Sequence, residues 1–365
     1  SLERIPLTSE FFNNNFKEFD KDIVFVCISW VFPQTIKYLQ KNNRNYILTS
    51  RSSNFIKNTN LCQYGYVGYG PSVAHMAYEL ATHLSHRNII LIGQDLAYGK
   101  NGFSHTKDYS NLDKHKGHFQ RDRGKFQCLA YGGESLVESS EIWTMFRLSL
   151  QHTISKNIIS TTYNCTEGGA RIEGAIEKPF LWACENLLDK DLDKPFEKLY
   201  PLSKDKQDEL MLKAYYRVYK SIRHCREFRE EIGRDYNKLK NSYLEIQDYK
   251  DNEKYIENII QNIDQVKSKI DKLYNTQKDL IQILGPLLTQ FELNLARIYV
   301  LNPKTKEDSF NKGILWIKEH IEFLQMVYGH IEAQENALLK NILPLEEELD
   351  KRNLNKWIKL IKERG

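Results

Sequence analysis

The chain has 365 residues, of which 41% are hydrophobic, so it can bury at least one full core and its length suggests two domains in a soluble globular protein. A net charge of +4, from 52 basic and 48 acidic side chains, is too balanced for a nucleic-acid-binding stripe or a polybasic membrane anchor. No apolar run approaches the roughly 20 residues that span a bilayer, and no leader precedes the first strand. We therefore expect neither a transmembrane segment nor secretion by a signal peptide.

The six cysteines are scattered without CxxC spacing, which indicates neither a zinc site nor a disulfide framework. A reduced, cytoplasmic location is the expectation. The chain opens with Ser1 rather than methionine, which suggests a trimmed chain or a fragment of a longer protein.

The first half of the chain alternates short apolar runs with helical patterns, as is typical of parallel βα units. We predict strands at residues 22–30, 45–50, 87–93 and 157–163, and helices at 33–42, 71–84 and 140–154. A polar loop of about 30 residues follows the third strand, and loops of that length in compact domains are usually functional or mobile. The expected fold is an α/β, Rossmann-like, mostly parallel sheet domain over residues 1–200.

The second half changes pattern from about residue 201 onward, because apolar residues then recur every three to four positions. We predict a long helix at 256–273 and further apolar series at 280–299, 314–337 and 339–361, with Gly285-Pro286 and residues 302–304 as breaks or turns. The expectation is an all-α domain over residues 201–365. A basic aromatic series there is either a solvated helix face or a partner surface: Tyr215, Tyr216, Arg217, Tyr219, Lys220 and Arg223.

Polar clusters follow the predicted strands, at the edge where parallel sheets bind ligands. The first is the glycine-rich turn at 68–72, which includes Gly70 and leads through Pro71 into a helix. Its backbone N–H groups and Ser72 could hold a phosphate, or the turn is a tight loop with proline at the first helical position.

The second cluster lies in LIGQDLAYGKNGFSHTKDY at residues 91–109. Asp95, beside Gln94, either accepts hydrogen bonds from a sugar hydroxyl or caps its own loop. Tyr98 and His105 could reach a leaving phosphate, with Lys100 or Lys107 neutralising it; the alternative is an exposed and idle histidine.

The third cluster is NCTEGGARIEG at residues 164–174. Its Arg171 either pairs with a ligand carboxylate or bridges to Glu167 or Glu173. Between the second and third clusters, Glu134 in YGGES is either a general base or part of a surface turn.

Six histidines fall between residues 75 and 118, and His83 and His86 are three residues apart on a predicted helix. No carboxylate or cysteine accompanies that pair at HExxH or similar spacing, so no metal is expected.

The segment GYGPSVAHMAYELATHLSHRNIILIGQDLAYGKNGFSHT at residues 68–106 resembles the central domain of the motility accessory factors, flagellin glycosyltransferases of polar-flagellated bacteria. NCTEGGARIEGA at 164–175 is similar to a later element of that family, and the resemblance covers residues 1–183. It implies transfer of pseudaminic or legionaminic acid, which are sialic-acid-like sugars, from a CMP-activated donor to Ser or Thr hydroxyls of flagellin.

Bacterial sialyltransferases that use CMP-activated sialic acid are more distantly similar, through a strand-to-loop segment matched here by Gly93, Asp95, Tyr98, Asn101 and Gly102. Paired tyrosines assist the departing phosphate there; Tyr98 matches one after a one-residue shift, and His105 stands in place of the other. Glu134 lies near the position of their downstream catalytic histidine, which leaves the general base open. The family's usual phosphate loop ahead of SLERIPLTSEFF is not in this sequence, so we expect the first half of the nucleotide fold to be missing.

The resemblance implies an inverting enzyme without an obligatory cofactor. Asp95 would bind ribose or sugar hydroxyls, Glu134 or Glu167 would remove the acceptor proton, and the helical half would dock flagellin near residues 256–274. The substrate-binding residues would be Gly70, Ser72, Gln94, Asn101, Gly168, Gly169 and Arg171. Two alternatives stay open: a pterin pyrophosphokinase, because a cousin family has a similar core, and an inactive flagellin-binding chaperone.

Overall fold

The computed structural model describes residues 5–13, 17–20, 23–51, 53–67, 70–105, 125–188, 202–246 and 253–364. The chain forms two compact units, one made of Ser1–Ser52 and Tyr64–Lys198 and the other of Ser53–Gln63 and Leu199–Gly365. The first contains parallel strands and the second is helical, which confirms the predicted α/β class with a helical C-terminal region. Residues 53–63 belong to the second unit although they lie within the predicted range 1–200.

Strands and helices follow one another along the described chain. The strands are β1 (Val24–Ile28), β2 (Asn45–Thr49), β3 (Asn88–Leu91), β4 (Lys125–Leu129), β5 (Leu136–Ser140), β6 (Thr161–Asn164) and β7 (Ile176–Glu177). The helices are α1 (Pro6–Ser9), α2 (Pro33–Lys41), α3 (Asn54–Asn58), α4 (Val73–His83), α5 (Glu141–Lys156), α6 (Phe180–Leu187), α7 (Lys204–Leu244), α8 (Glu253–Thr276), α9 (Lys278–Tyr299), α10 (Lys306–Lys351) and α11 (Asn355–Arg364).

The described residues of the first unit form two parallel sheets and an antiparallel hairpin. β1 pairs with β2, and β6 lies between β3 and β7 with all three strands parallel. α4 and α5 bury apolar side chains against the β3–β6 sheet, and Tyr78 of α4 also hydrogen-bonds Thr162 of β6 at 2.7 Å. The buried cluster consists of Tyr78, Ile89, Leu91, Leu150, Ile154 and Ile172. This packing holds the sheet in place, and the parallel strands β3 and β6 end at the same edge of it.

Two sequence expectations for the first unit are wrong. The stretch interpreted as one long polar loop contains the β4–β5 hairpin, paired from Lys125↔Ser140 to Leu129↔Leu136. β6 begins at Thr161 rather than at residue 157, because the Asn157 side chain accepts the backbone N–H groups of Ile159 and Ser160 and holds a turn there.

The second unit is built on apolar stripes of long helices. α8 buries a stripe inside this unit that comprises Ile259, Ile263, Val266, Ile270 and Leu273. The apolar stripe of the region near residues 256–274, where flagellin docking was expected, is therefore part of the unit's own core. Among the helices of the described ranges, none is both long and apolar enough to cross a membrane.

Proline does not break the helix where the sequence pattern predicted a break. Pro286 lies inside α9, whereas residues 302–304 do lie between helices as predicted. An interior proline removes one hydrogen bond and costs about 3 kcal/mol. α9 offsets this cost by burying five side chains, namely Leu280, Leu284, Leu287, Phe291 and Leu295.

Asp279 and His320 are titratable side chains buried within the helical core. Burial raises the pKa of Asp279, but hydrogen bonds from His224 at 3.0 Å and Ser221 at 2.6 Å outweigh it and hold that pKa below its usual value. His320 is 2% exposed and donates from Nδ1 to the carbonyl of Trp316 at 2.7 Å. Burial lowers the pKa of His320 to about 4, so this imidazole is neutral at pH 7.

The basic aromatic series on α7 is neither wholly solvated nor wholly free to meet a partner. Tyr215 is fully buried, hydrogen-bonds Glu346 and stacks on Tyr219 at 6.0 Å between ring centroids. Tyr216 is exposed. Two of the six residues of the predicted face, Tyr215 and Tyr219, are thus part of the helical core.

Candidate functional site

The loops that follow β3 and β6 are joined at one edge of the sheet. The two strands are parallel neighbours, so their carboxyl ends point the same way. The backbone N–H of Gln94 donates to the Thr166 hydroxyl at 3.1 Å, and the N–H of Ala170 donates to the carbonyl of Asp95 at 2.7 Å. The second and third sequence clusters therefore form one structure.

Gly169 lies against the backbone of Asp95 in the other loop. Its φ is +70°, a conformation that side chains rarely adopt. A Cβ atom at this position would lie 2.4 Å from both the Cα and the carbonyl oxygen of Asp95. Gly168 lies beside the same residue, since its Cβ would be 4.0 Å from Asp95 Oδ1. Gly169 is thus required for the approach of the two backbones, whereas a Cβ at Gly168 would make only an ordinary contact.

The turn of the β4–β5 hairpin joins the same edge. Tyr131 donates its backbone N–H to the carbonyl of Gly169 at 2.9 Å, and Arg171 donates its N–H to the carbonyl of Leu129 at 2.8 Å. Two consecutive glycines in this turn, Gly132 and Gly133, have φ values of +87° and +79°. We call the joined segments 93–98, 130–135 and 164–171 the rim.

Arg171 lies where the three segments of the rim meet. Its guanidinium covers Gly133, where an added Cβ would be 2.1 Å from Nη1. The sequence left open a bridge from Arg171 to Glu167 or Glu173. Over the described part of the chain, Arg171 has no ion pair with either carboxylate. Its charge is therefore not neutralised by those two side chains.

Glu167 has a structural partner that the sequence did not indicate. Its Oε1 accepts the backbone N–H of Phe180 at 2.7 Å, at the first residue of α6. A carboxylate is favourable there because the amino end of a helix carries partial positive charge. Its φ of +60° is an uncommon conformation for glutamate. Glu134, the other candidate base, is exposed in the hairpin turn.

Tyr98 is buried under the hairpin together with Ala97, while Asp95 and Gly99 on either side are exposed. Its backbone N–H donates to the carbonyl of Glu138 at 2.8 Å, and its ring lies 4.7 Å from that of Trp143. Asn101 accepts the N–H of Phe103 at 3.1 Å and so closes a turn. His105 is exposed, with Nδ1 2.8 Å from the hydroxyl of Ser104.

The turn containing Gly70 and Ser72 has a different set of partners. The Ser72 hydroxyl lies 2.8 Å from His75 Nδ1, and His75 Nε2 lies 3.0 Å from the carbonyl of Phe146. Because Nε2 must donate to that carbonyl, Nδ1 accepts and Ser72 donates. Burial lowers the pKa of His75 and keeps the ring neutral. The hydroxyl proton expected to bind phosphate is thus already engaged.

Gly70 is needed for the packing of this turn. A Cβ there would lie 2.1 Å from that of His75, and its carbonyl accepts a hydrogen bond from Arg51 at 3.3 Å. No hydrogen bond among the described residues joins Gly70 or Ser72 to the rim. The structure therefore brings together the clusters around Asp95, Glu134 and Arg171 and leaves the Ser72 turn unlinked.

Some residues of the predicted clusters lie outside the residues that the structure describes. The described histidines can be tested as metal ligands. Gly68 of the glycine-rich turn, Lys107 of the second cluster, and His115 and His118 of the histidine series lie outside the described residues. His83 lies 3.6 Å from Glu79 on α4. In the parts of the chain that the structure describes, no three His, Cys, Asp or Glu side chains are grouped to hold a metal.

Sequence reasoning missed Tyr131 and Glu177. Burial, followed by the charge of Glu177, raises the pKa of Tyr131. Glu177 Oε2 accepts the backbone N–H of Gly132 at 3.1 Å, which ties β7 to the hairpin turn. The paired glycines after Tyr131 were the available signal, since consecutive glycines between apolar runs indicate a hairpin.

A family model described as MptE-like, 6-hydroxymethylpterin diphosphokinase MptE-like, matches residues 1–101. The match covers β1 to β3 and the loop as far as Asn101, which includes Asp95 and Tyr98. The comparison with curated proteins and the comparison with solved structures both gave no match. The chain is thus similar to this family over less than a third of its length.

Proposed function

We propose that the chain is a glycosyltransferase that moves a pseudaminic-acid-like or legionaminic-acid-like sugar from a CMP-activated donor to Ser or Thr hydroxyls of flagellin. Two observations support this proposal. The rim lies beyond the carboxyl ends of β3 and β6, where parallel sheets bind ligands. Two of its three segments, 93–98 and 164–171, are also those that resemble the motility accessory factors.

The environment of Arg171 carries the proposal. Its guanidinium lies at the junction of the rim, and neither Glu167 nor Glu173 pairs with it. A nonulosonic acid brings a carboxylate next to its anomeric carbon, and arginine binds carboxylates through two parallel hydrogen bonds. We assign Arg171 to that carboxylate.

The reaction is a displacement at the anomeric carbon. The acceptor hydroxyl oxygen forms the new bond to that carbon, while the bond from the carbon to the phosphate oxygen breaks and CMP leaves with the electron pair. Tyr98 and His105 are assigned to the charge that develops on the phosphate. The acceptor proton goes to Glu134, because one oxygen of Glu167 already accepts the N–H of Phe180.

The family match favours a second candidate, a pterin diphosphokinase. In that reaction the hydroxymethyl oxygen attacks the β-phosphorus of ATP, the bond from this phosphorus to the oxygen shared with the α-phosphorus breaks, and AMP leaves with that oxygen. The two candidates share an attacking hydroxyl and an anionic leaving group, so the same rim could serve either reaction. They differ in the donor.

The test is calorimetric binding and product formation with two donor sets. We expect the chain to bind CMP-pseudaminic or CMP-legionaminic acid, and to release CMP when flagellin is added. Turnover of ATP with 6-hydroxymethylpterin, without binding of either CMP-sugar, would select the diphosphokinase. Binding of flagellin with neither donor would indicate an inactive flagellin-binding protein.

Arg171→Lys provides the residue-level test. Lysine keeps the charge but loses the paired hydrogen bonds, so we expect CMP-sugar affinity to fall about tenfold or more, with little change for CMP alone. Arg87→Lys is the matched control, because Arg87 is exposed and precedes the amino end of β3. Equal affinities in both variants would refute the role of Arg171.

A further inference from the structure

Asn164 and Glu177 lie side by side at the edge of the sheet that carries the rim. They are the last residues of β6 and β7, and they are register partners in this parallel pair. Register partners project from the same face of a sheet. Their side chains are therefore neighbours.

Each of these side chains uses one polar atom and leaves the other without a partner. Asn164 Oδ1 accepts the N–H of Thr166 at 3.2 Å, so the atom of this amide that is left over is the donor Nδ2. Glu177 Oε2 accepts the N–H of Gly132 at 3.1 Å. Asn164 Nδ2 and Glu177 Oε1 are both buried and make no hydrogen bond.

Such a pair is costly unless something binds it. Asn164 is completely buried, and an unpaired buried polar group costs about 1–3 kcal/mol, more when it is charged. Most buried polar groups in proteins are paired, so the exceptions call for an explanation. Here a donor and an acceptor are left unpaired on adjacent strands of the candidate site.

We propose that Asn164 and Glu177 together bind a neutral hydroxyl group of the substrate. The hydroxyl oxygen accepts from Asn164 Nδ2, and its proton is donated to Glu177 Oε1. A phosphate or carboxylate offers only acceptors and would meet the Glu177 carboxylate, and an ammonium offers only donors. This inference rests on the proposed function and deepens it, since it assigns the pair to a hydroxyl of the transferred sugar.

The hairpin turn contacts one member of the pair. Gly132 covers the Glu177 carboxylate through the hydrogen bond to Oε2, and it is followed by a second glycine of positive φ. Both unpaired atoms are shielded from solvent.

The experiment exchanges the donor and the acceptor. Glu177→Gln keeps an oxygen for Gly132 but turns the unpaired acceptor into a donor, and Asn164→Asp keeps an oxygen for Thr166 but turns the donor into an acceptor. We expect each single variant to bind CMP-pseudaminic acid at least tenfold more weakly, because hydrogen bonds to charged groups contribute about 1.5–3 kcal/mol. CMP alone should bind all variants equally.

The double variant distinguishes a hydroxyl from other groups. It again offers one donor and one acceptor, and a hydroxyl can rotate to fit the exchanged order, so we expect its affinity to return to within about threefold of wild type. Glu138→Gln is the matched control, because Glu138 already accepts from Gln127 at 2.9 Å in the hairpin. It should leave sugar binding unchanged.

The outcomes separate the two proposals. If wild type binds neither CMP nor the CMP-sugar, the proposed function and this inference both fail. If wild type binds both but the single variants lose only melting temperature, the pair is structural and the inference alone is overturned. If the single variants weaken sugar binding and the double variant does not restore it, the hydroxyl assignment is wrong and a group of fixed polarity, such as an amide, binds there.

Discussion

Replacing Gly169 with alanine perturbs the contact on which the rim depends. The new Cβ would lie 2.4 Å from the backbone of Asp95, and no flexible side chain can move aside to relieve this. The loops after β3 and β6 must separate, and the hydrogen bond from Ala170 to Asp95 lengthens as they do.

Gly132→Ala is the control, because it has the same effect on backbone conformation as Gly169→Ala but does not push the two loops apart. Both glycines have positive φ, so each substitution pays about 1 kcal/mol for backbone conformation. An added Cβ at Gly132 meets nothing within 4 Å. Gly169→Ala adds the cost of overpacking, about 1–3 kcal/mol, for a total of about 2–4 kcal/mol.

Native-state hydrogen exchange measures this difference locally, which matters because a chain of two units need not unfold in one step. Since 1.4 kcal/mol is a factor of ten, Gly169→Ala should speed exchange in peptides from 93–98 and 165–175 by about 30-fold or more. Gly132→Ala should speed exchange in the same peptides by only about fivefold. Equal acceleration by the two variants would refute the argument that Gly169 holds the loops together.

Two further predictions concern the helical unit. His320 has a native pKa of about 4 against about 6.5 unfolded, so its contribution of about 3 kcal/mol is complete above pH 6.5 and is lost as pH falls toward 4. Urea unfolding followed by helical circular dichroism measures the free energy of unfolding at each pH. This free energy should fall between pH 6.5 and 4 in wild type and in the exposed control His330→Phe, but not in His320→Phe. An equal dependence on pH in all three proteins would contradict the role of His320. Asp279, whose pKa is lowered in the fold, stabilises above pH 4 and loses this contribution as pH falls below that value. Asp279→Asn should lower the free energy of unfolding by about 2 kcal/mol at pH 7. Asp271 is exposed, so Asp271→Asn should lower it by almost nothing. Equal losses in the two variants would show that the hydrogen bond from His224 to Asp279 does not stabilise the fold.

Sequence periodicity predicted helices that bury one face and strands that consist of a continuous apolar run. The stripe from Ile259 to Leu273 has the spacing of an amphipathic helix, and Ile89 and Leu91 lie in a short apolar run typical of a buried strand. The β4–β5 hairpin was missed because its strands expose Phe126, Leu129 and Leu136 and give no clear alternation. Pro286 was interpreted as a break because local chemistry alone cannot show the core that offsets its cost.

The candidate site was predicted in part. The glycines after β6 were singled out as substrate-binding residues, and the structure places Gly169 against the backbone of Asp95. The roles of Glu167 and Ser72 could not be read from sequence, because their partners, Phe180 and His75, are set by how a helix begins or packs. Glu177 carried no motif, since its meaning depends on the register of β7 with β6.

The central claim is that the rim is one ligand site. Hydrogen exchange with and without saturating CMP-pseudaminic acid tests it most directly, with peptides at the amino end of β3 as an internal reference. We predict that residues 93–98, 130–135 and 164–171 gain protection together while residues 85–88 do not change. Binding of the donor with protection confined to other parts of the chain would contradict the claim.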